Sequence, residues 1–146
     1  MSDTTGGSQQ QAWENTRTGL ADMLLNLHEL IESLPTFGGY RERTSVERKI
    51  DAQIEALDSV VAVLAEFEAD GSAKQITTRW PGFKQQWEAL KEKRDNWNNY
   101  DPLDREEKLT ILQFGGMQLA GEVAITRGYA LALPHSPPGT GTGANS

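Results

Sequence analysis

Four of the arginines stand where a guanidinium could bind an anion. Arg17 and Arg94 lie within runs of apolar residues at heptad spacing, and Arg41 and Arg43 come just before a predicted helix. Arginine binds carboxylates and other oxyanions through its forked donors, and a buried guanidinium requires an anionic partner. These arginines therefore predict a site for a small anion such as an organic acid. Internal ion pairs or snorkelling are the alternative for Arg17 and Arg94, and a solvated loop for Arg41 and Arg43. The candidate carboxylates are Glu14, Glu88 and Glu122.

A second pattern consists of small residues at four-residue steps in the last predicted helix: Gly116, Ala120, Ala124 and Gly128. Small side chains allow another helix backbone to approach closely. The stripe predicts either tight packing within the protein or the interface of a homodimer.

Residues for catalysis or metal binding are scarce. The chain has no Cys and only two His, His28 and His135, and neither follows a Glu by three positions as a di-iron helical bundle requires. Gly115 and Gly116 lie in a helical pattern and form no nucleotide-binding loop. We therefore expect a protein that is not an enzyme and has no cofactor and no metal.

The length of 146 residues fits one domain, and the net charge of −7 disfavours nucleic acid as a partner. No stretch approaches the roughly 20 apolar residues that cross a bilayer. Residues 1–11 are polar and lack the pattern of a signal peptide.

Four segments carry apolar residues at alternating steps of three and four, which indicates helices. Thr44 and Glu47 form a capping-box pattern before the second segment. Pro81 and Pro102 suit the first turns of the third and fourth. The predicted helices cover about residues 9–34, 45–69, 80–97 and 102–133.

These helices predict an all-α fold, an antiparallel up-down-up-down four-helix bundle over residues 9–133. Residues 1–8 and the Pro/Gly-rich residues 134–146 are expected to be disordered. The predicted core consists of Leu24, Leu27, Ile31, Ile54, Leu57, Val61, Leu64, Trp87, Leu90, Leu112, Leu119 and Val123.

Several motifs occur in an order found in one group of bacterial proteins. The first segment contains Glu14, Gly19 and Leu20, the region of Arg41 and Arg43 follows, and the second segment contains Ile50, Asp51, Ile54, Leu57 and Asp58. The third contains Trp80, Phe83, Trp87 and Leu90, and the fourth ends in RGYALALP at residues 127–134. Together they resemble the helical extracytoplasmic sensor domains of methyl-accepting chemotaxis receptors and sensor histidine kinases. Leu133 departs from the acidic residue expected before the closing proline, and the family's membrane helices have no counterpart here.

The resemblance implies a domain that binds a small ligand or an accessory protein, works as a dimer and transmits a helix displacement in signal transduction. It would be periplasmic if it is an excised receptor domain, and cytoplasmic if the chain is complete. The alternative is a structural or secreted helical interaction protein without a ligand. Trp80, Pro81 and Gly82 also resemble, more weakly, the turn of small secreted helical hairpins.

Overall fold

The computed structural model describes the backbone of residues 2–35, 40–100 and 105–138, and the side chains of residues 8–35, 41–94 and 106–138. This part of the chain contains four α-helices and no strand: α1 (Ser2–Glu32), α2 (Tyr40–Glu66), α3 (Ser72–Tyr100) and α4 (Arg105–Leu131). Each helix packs against two others, in the cyclic order α1, α2, α3, α4. The all-α prediction is confirmed, and the packing is compatible with a bundle.

On each helix the apolar residues that recur at steps of three and four form a stripe, which we call its apolar seam. The four seams meet in one core, and all twelve predicted core residues are buried in it. Two threonines belong to the same seams. The hydroxyl of Thr16 donates to the carbonyl of Ala12 at 2.7 Å, and that of Thr126 to the carbonyl of Glu122 at 2.8 Å. Because these bonds satisfy the hydroxyls locally, threonine is tolerated in the core. The seam position after Trp13 is therefore Thr16, and Arg17 lies beside the seam.

Helix α2 begins at Tyr40, five residues earlier than expected. Thr44 and Glu47 consequently lie inside the helix, and the capping-box interpretation is wrong. Glu47 is buried with 3 % of its surface exposed, and its carboxylate is bound by arginine side chains instead of the helix N-terminus.

Helix α3 begins at Ser72 and contains Pro81 in its interior, where the sequence predicted a first-turn proline. The apolar seam explains the earlier start. Ala73 and Ile76 are buried and continue the three-four spacing of Trp80 toward the N-terminus. We infer that burying them offsets the backbone hydrogen bond that Pro81 cannot donate.

Parts of both ends for which the sequence predicts disorder are described in the structure. Helix α1 extends back to Ser2. After α4, the carbonyl of Pro134 accepts a 2.7 Å hydrogen bond from the Trp13 indole, and Pro137 is buried. Residues 139–146, and the predicted start of the last helix at Pro102, lie outside the described residues.

Candidate functional site

The carboxylate of Glu47 on α2 is bound by two arginines. Arg94 on α3 binds it with both ends of its fork, Nε to Oε2 at 2.8 Å and Nη2 to Oε1 at 2.6 Å. Arg43, one turn before Glu47, donates from Nε to Oε2 at 3.1 Å and from Nη1 to the carbonyl of Pro35 at 3.0 Å. This Arg–Glu–Arg cluster joins α2 to α3 and to the end of the α1 segment.

The cluster is almost completely removed from water. The side chains of Arg43, Glu47 and Arg94 are 8 %, 4 % and 11 % exposed. Burial lowers the pKa of the Arg43 guanidinium, the charge of Arg94 acts in the same direction, and Glu47 opposes both. An arginine remains protonated under these conditions, so the cluster keeps buried positive charge.

A cleft of about 450 Å³ opens beside Arg43, between α1, α2 and α4. Its small residues, Gly116 and Ala120 on α4, leave room for a molecule between the helices. At one side, His28 Nδ1 lies 3.1 Å from Glu32 Oε1. The remaining lining residues are Ile31, Leu34, Leu112, Gln113, Met117 and Gly121.

Arg43 keeps a donor that could bind a molecule in this cleft. Its Nε and Nη1 are used by Glu47 and Pro35. Among the described residues, none accepts a hydrogen bond from Nη2 of Arg43. The cleft therefore combines the guanidinium of Arg43 with apolar side chains such as Leu112, and the carboxylate of Glu32 also lines it, paired with His28.

The predicted anion-binding arginines do not all gather at one place. Arg43 and Arg94 meet at Glu47, but Arg94 borders a different depression, with Asp51 and Glu88. Arg17 forms a pair with Glu14 on its own helix, with Nη2 at 2.6 Å from Oε1, which confirms one of the predicted ion pairs. Arg41 is exposed. Of the four predicted arginines, only Arg43 therefore lines the cleft.

A polar ladder between α2 and α3 was not predicted. Asp58 Oδ1 accepts from Trp80 Nε1 at 2.6 Å and lies 2.8 Å from Lys84 Nζ. Asp51, seven residues earlier on α2, binds a tryptophan and a lysine of α3 in the same way. Burial alone would raise the pKa of Asp58, but its bonds from Lys84 and Trp80 outweigh burial and hold that pKa below its usual range.

The second rung consists of Asp51 with Trp87 and Lys91. Trp87 Nε1 and Lys91 Nζ lie 2.8 Å and 2.7 Å from Asp51 Oδ1. Burial opposes the charge of Lys91, but Asp51 and Glu88 outweigh it and raise the pKa of that amine. The signal was present in the sequence, since the aspartates, the tryptophans and the lysines each recur after seven residues.

The four small residues of α4 do not share one face. Ala120 is buried, Gly116 is half-buried in the cleft, and Ala124 and Gly128 are exposed. Steps of four residues rotate by about 40° each beyond a full turn, so the stripe winds from the inside of the protein to its outside. The predicted dimer interface of Gly116, Ala120, Ala124 and Gly128 therefore needs correction, because half of it faces other helices of the same chain.

Neither a membrane helix nor a metal cluster is found in the described ranges. None of the helices there combines the length and apolarity needed to cross a membrane. No group of three metal-ligating side chains is found among the same residues. Comparisons with protein-family models, with curated proteins and with solved structures give no match to this chain.

Proposed function

We propose that this chain is a non-enzymatic sensor domain that binds a small carboxylate or related oxyanion in the cleft beside Arg43. The receptor would be of the chemotaxis or histidine-kinase type that its motifs resemble. The observation that supports this proposal is the buried guanidinium of Arg43, which lines the cleft and shares its carboxylate partner with Arg94.

The chemistry of the cleft favours a small organic anion over a large ligand. Its volume of about 450 Å³ falls within the range of small-molecule sites. Charge-assisted hydrogen bonds are stronger where water is excluded, and the side chain of Arg43 is only 8 % exposed. Leu112 and Ala120 supply the apolar contact for the rest of the molecule.

We also propose the antiparallel up-down-up-down arrangement of the bundle, on the order of its contacts. Along α2 the partners on α3 descend in number, since Asp51 meets Trp87 and Asp58 meets Trp80. Contacts between α1 and α4 follow the same rule: Trp13 meets Pro134, and the carbonyl of Ala21 accepts from Arg127.

In such a bundle the cleft is well placed for signalling, because its walls come from three helices. A ligand that binds one arrangement of α1, α2 and α4 more tightly than another shifts the population toward it. The result is a small displacement of one helix relative to its neighbours, which a receptor can pass to an attached signalling module.

The proposal is tested by thermal unfolding with a panel of organic acids, amino acids and inorganic oxyanions. A ligand at about one hundred times its Kd stabilises the native state by about 2.7 kcal/mol and raises the melting midpoint. If no member of the panel does so, the alternative of a structural interaction bundle without a ligand replaces the sensor proposal.

Filling the cleft identifies the site. A Cβ at Gly116 would meet no atom within 4 Å, so the side chain of Gly116→Leu can occupy the cleft without a clash at Cβ. This variant should melt no lower than the parent and lose the ligand-induced shift. Gly82→Leu is the matched control at an open helical glycine away from the cleft, and it should keep the shift. Arg17→Gln and Arg41→Gln should keep it as well.

A further inference from the structure

One wall of the cleft beside Arg43 carries a negative charge. Glu32 on α1 lines the cleft, and its carboxylate repels any anion that enters it. Among the described residues, only His28, one turn earlier on α1, pairs with this carboxylate, with Nδ1 at 3.1 Å from Oε1. The charge of Glu32 is therefore compensated at this wall only while His28 is protonated.

The protonation of His28 sets the net charge of the cleft. Of the side chains that line it in the described structure, three can ionise, His28 and Glu32 from α1 and Arg43 from α2, whereas those from α4 are uncharged. Arg43 stays protonated, and its partner Glu47 is already bound by two arginines. The charges of Arg43 and Glu32 cancel when His28 is neutral, and a protonated His28 leaves a net charge of +1.

An anion in the cleft gives His28 a reason to take up a proton. The side chains of His28 and Glu32 are 26 % and 60 % exposed, so in the free protein water solvates the carboxylate and the imidazole can be neutral. A bound anion adds a second negative charge near the same imidazole. The protonated form is then favoured by both charges, while solvent screening keeps the effect moderate.

We propose that the cleft binds its anion together with one proton, which His28 takes up. This coupling rests on the proposed function, because it concerns the ligand of the same cleft. Histidine is the side chain that changes charge between about pH 5 and pH 8. An anion that prefers the protonated cleft also increases the proton affinity of His28 by the same factor. Anion affinity is therefore highest in mildly acidic solution and declines as the pH rises through the histidine range.

Titration with pyruvate, nitrate and sulfate tests the coupling, since these anions keep their charge between about pH 5.5 and pH 8. Isothermal titration calorimetry should give a Kd about three- to tenfold lower at the acidic end of this range than at the basic end. Near the middle of the range, titrations in buffers with different heats of ionisation should show net proton uptake upon binding.

Variants of the two histidines identify the group that takes up the proton. His28→Gln should bind the anions weakly throughout the range, without proton uptake. His28→Lys keeps a positive charge, so its Kd at the basic end should approach that of the parent at the acidic end. His135→Gln is the matched control, because His135 is the other histidine of the chain and does not line the cleft. It should behave as the parent does.

Removing the opposing carboxylate gives an independent check. Glu32→Gln leaves a net positive charge on the cleft wall even when His28 is neutral, so it should tighten anion binding most at the basic end of the range. A variant that binds no more tightly than the parent there would show that Glu32 does not oppose the anion, which overturns the coupling.

Other results separate this coupling from the proposed function. An anion that binds with the same Kd throughout the range and without proton uptake overturns the coupling but leaves the sensor proposal in place. A pH dependence that survives in His28→Gln also overturns it, because the proton is then held elsewhere. If none of the three anions binds at any pH, the coupling is wrong, and the wider panel together with Gly116→Leu still decides the proposed function.

Discussion

Arg94 on α3 binds Glu47 on α2 as a two-pronged ion pair, with both N···O distances at or below 2.8 Å. Arginine and carboxylate match in this geometry because both groups are planar and forked. The pair is buried, and the same carboxylate also accepts from Arg43. The carboxylate of Glu47 therefore compensates the positive charges of two buried arginines, Arg43 on α2 and Arg94 on α3.

Removing that carboxylate should destabilise the protein strongly. Glu47→Gln keeps the size of the side chain and leaves two buried guanidiniums without their shared anion. We expect the free energy of unfolding, measured by urea denaturation, to fall by about 3–5 kcal/mol. Glu14→Gln is the control, since it breaks the more exposed pair with Arg17 and should have a much smaller effect.

Replacing the whole cluster with apolar residues should restore much of that loss. In the triple variant Arg43→Met, Glu47→Leu and Arg94→Met, no buried charge remains to be compensated. Well-packed apolar replacements of buried ion pairs are often neutral or stabilising. A triple variant less stable than Glu47→Gln would mean that these residues act through contacts other than their mutual ion pairs.

Pro81→Ala should stabilise α3. Proline in a helix interior is about 3 kcal/mol less favourable than alanine, and part of this difference is offset because proline also restricts the unfolded chain. We expect a gain of about 1–3 kcal/mol in the free energy of unfolding. The control is Pro138→Ala, at an exposed proline after α4. A neutral or destabilising effect of Pro81→Ala would mean that Pro81 lies in the first turn of α3 and that the helix begins near Trp80 instead of at Ser72.

The aspartate ladder should make stability depend on pH in the acid range. The pKa of Asp58 is below its usual value in the folded state. The unfolded state therefore takes up a proton first as the pH falls, and stability that is complete above about pH 4 is lost below it. Asp58→Asn keeps an acceptor for Trp80 but removes the titrating charge.

Urea midpoints between about pH 5 and pH 3 measure this effect. The profile of Asp58→Asn should be flatter than that of the parent, although Glu14, whose pKa is also lowered through its bond to Arg17, leaves part of the slope. Asp22→Asn, at an exposed aspartate of α1, is the matched control. Identical profiles for the parent and Asp58→Asn would contradict the ladder.

Leu57→Ala tests the core register. Leu57 is completely buried on α2, so removing its branched end should cost about 2–5 kcal/mol. Leu25→Ala, on the more exposed side of α1, should have a much smaller effect. A loss below roughly 1 kcal/mol at Leu57 would contradict its burial.

The residues after α4 should matter only as far as they contact α1. Ending the chain at Leu133 removes the carbonyl that accepts from the Trp13 indole, and a buried donor without a partner costs about 1–3 kcal/mol. Ending it after Pro138 keeps that bond and the buried Pro137. The chain that ends at Leu133 should melt at a lower temperature than the parent, and the chain that ends at Pro138 should melt at the same temperature as the parent. Equal melting midpoints for the two shortened chains would show that the hydrogen bond between Trp13 and Pro134 does not contribute to stability.

The core could be predicted from the sequence because its signal is local. Residues such as Leu27, Leu57 and Val123 recur at the period of a helix, and that period alone places them on one face. Helix starts were predicted less well. Thr44 with Glu47, and Pro81, have the local features of an N-terminus, but α2 begins at Tyr40 and α3 at Ser72. In α3 the buried Ala73 and Ile76 extend the helix to the N-terminal side of Pro81.

Only part of the site was determined by the sequence. The sequence placed Arg94 on an apolar seam, and a guanidinium that is buried there requires an anionic partner. The tertiary structure decided that the partner is Glu47, that Arg43 lines a cleft, and that Gly121 and Gly128 face outward. A charged side chain can pair with any neighbouring group of opposite charge, and a small residue can pack against any neighbour that fits beside it. Which neighbour it meets depends on how separate helices align, and no spacing within one helix contains that information.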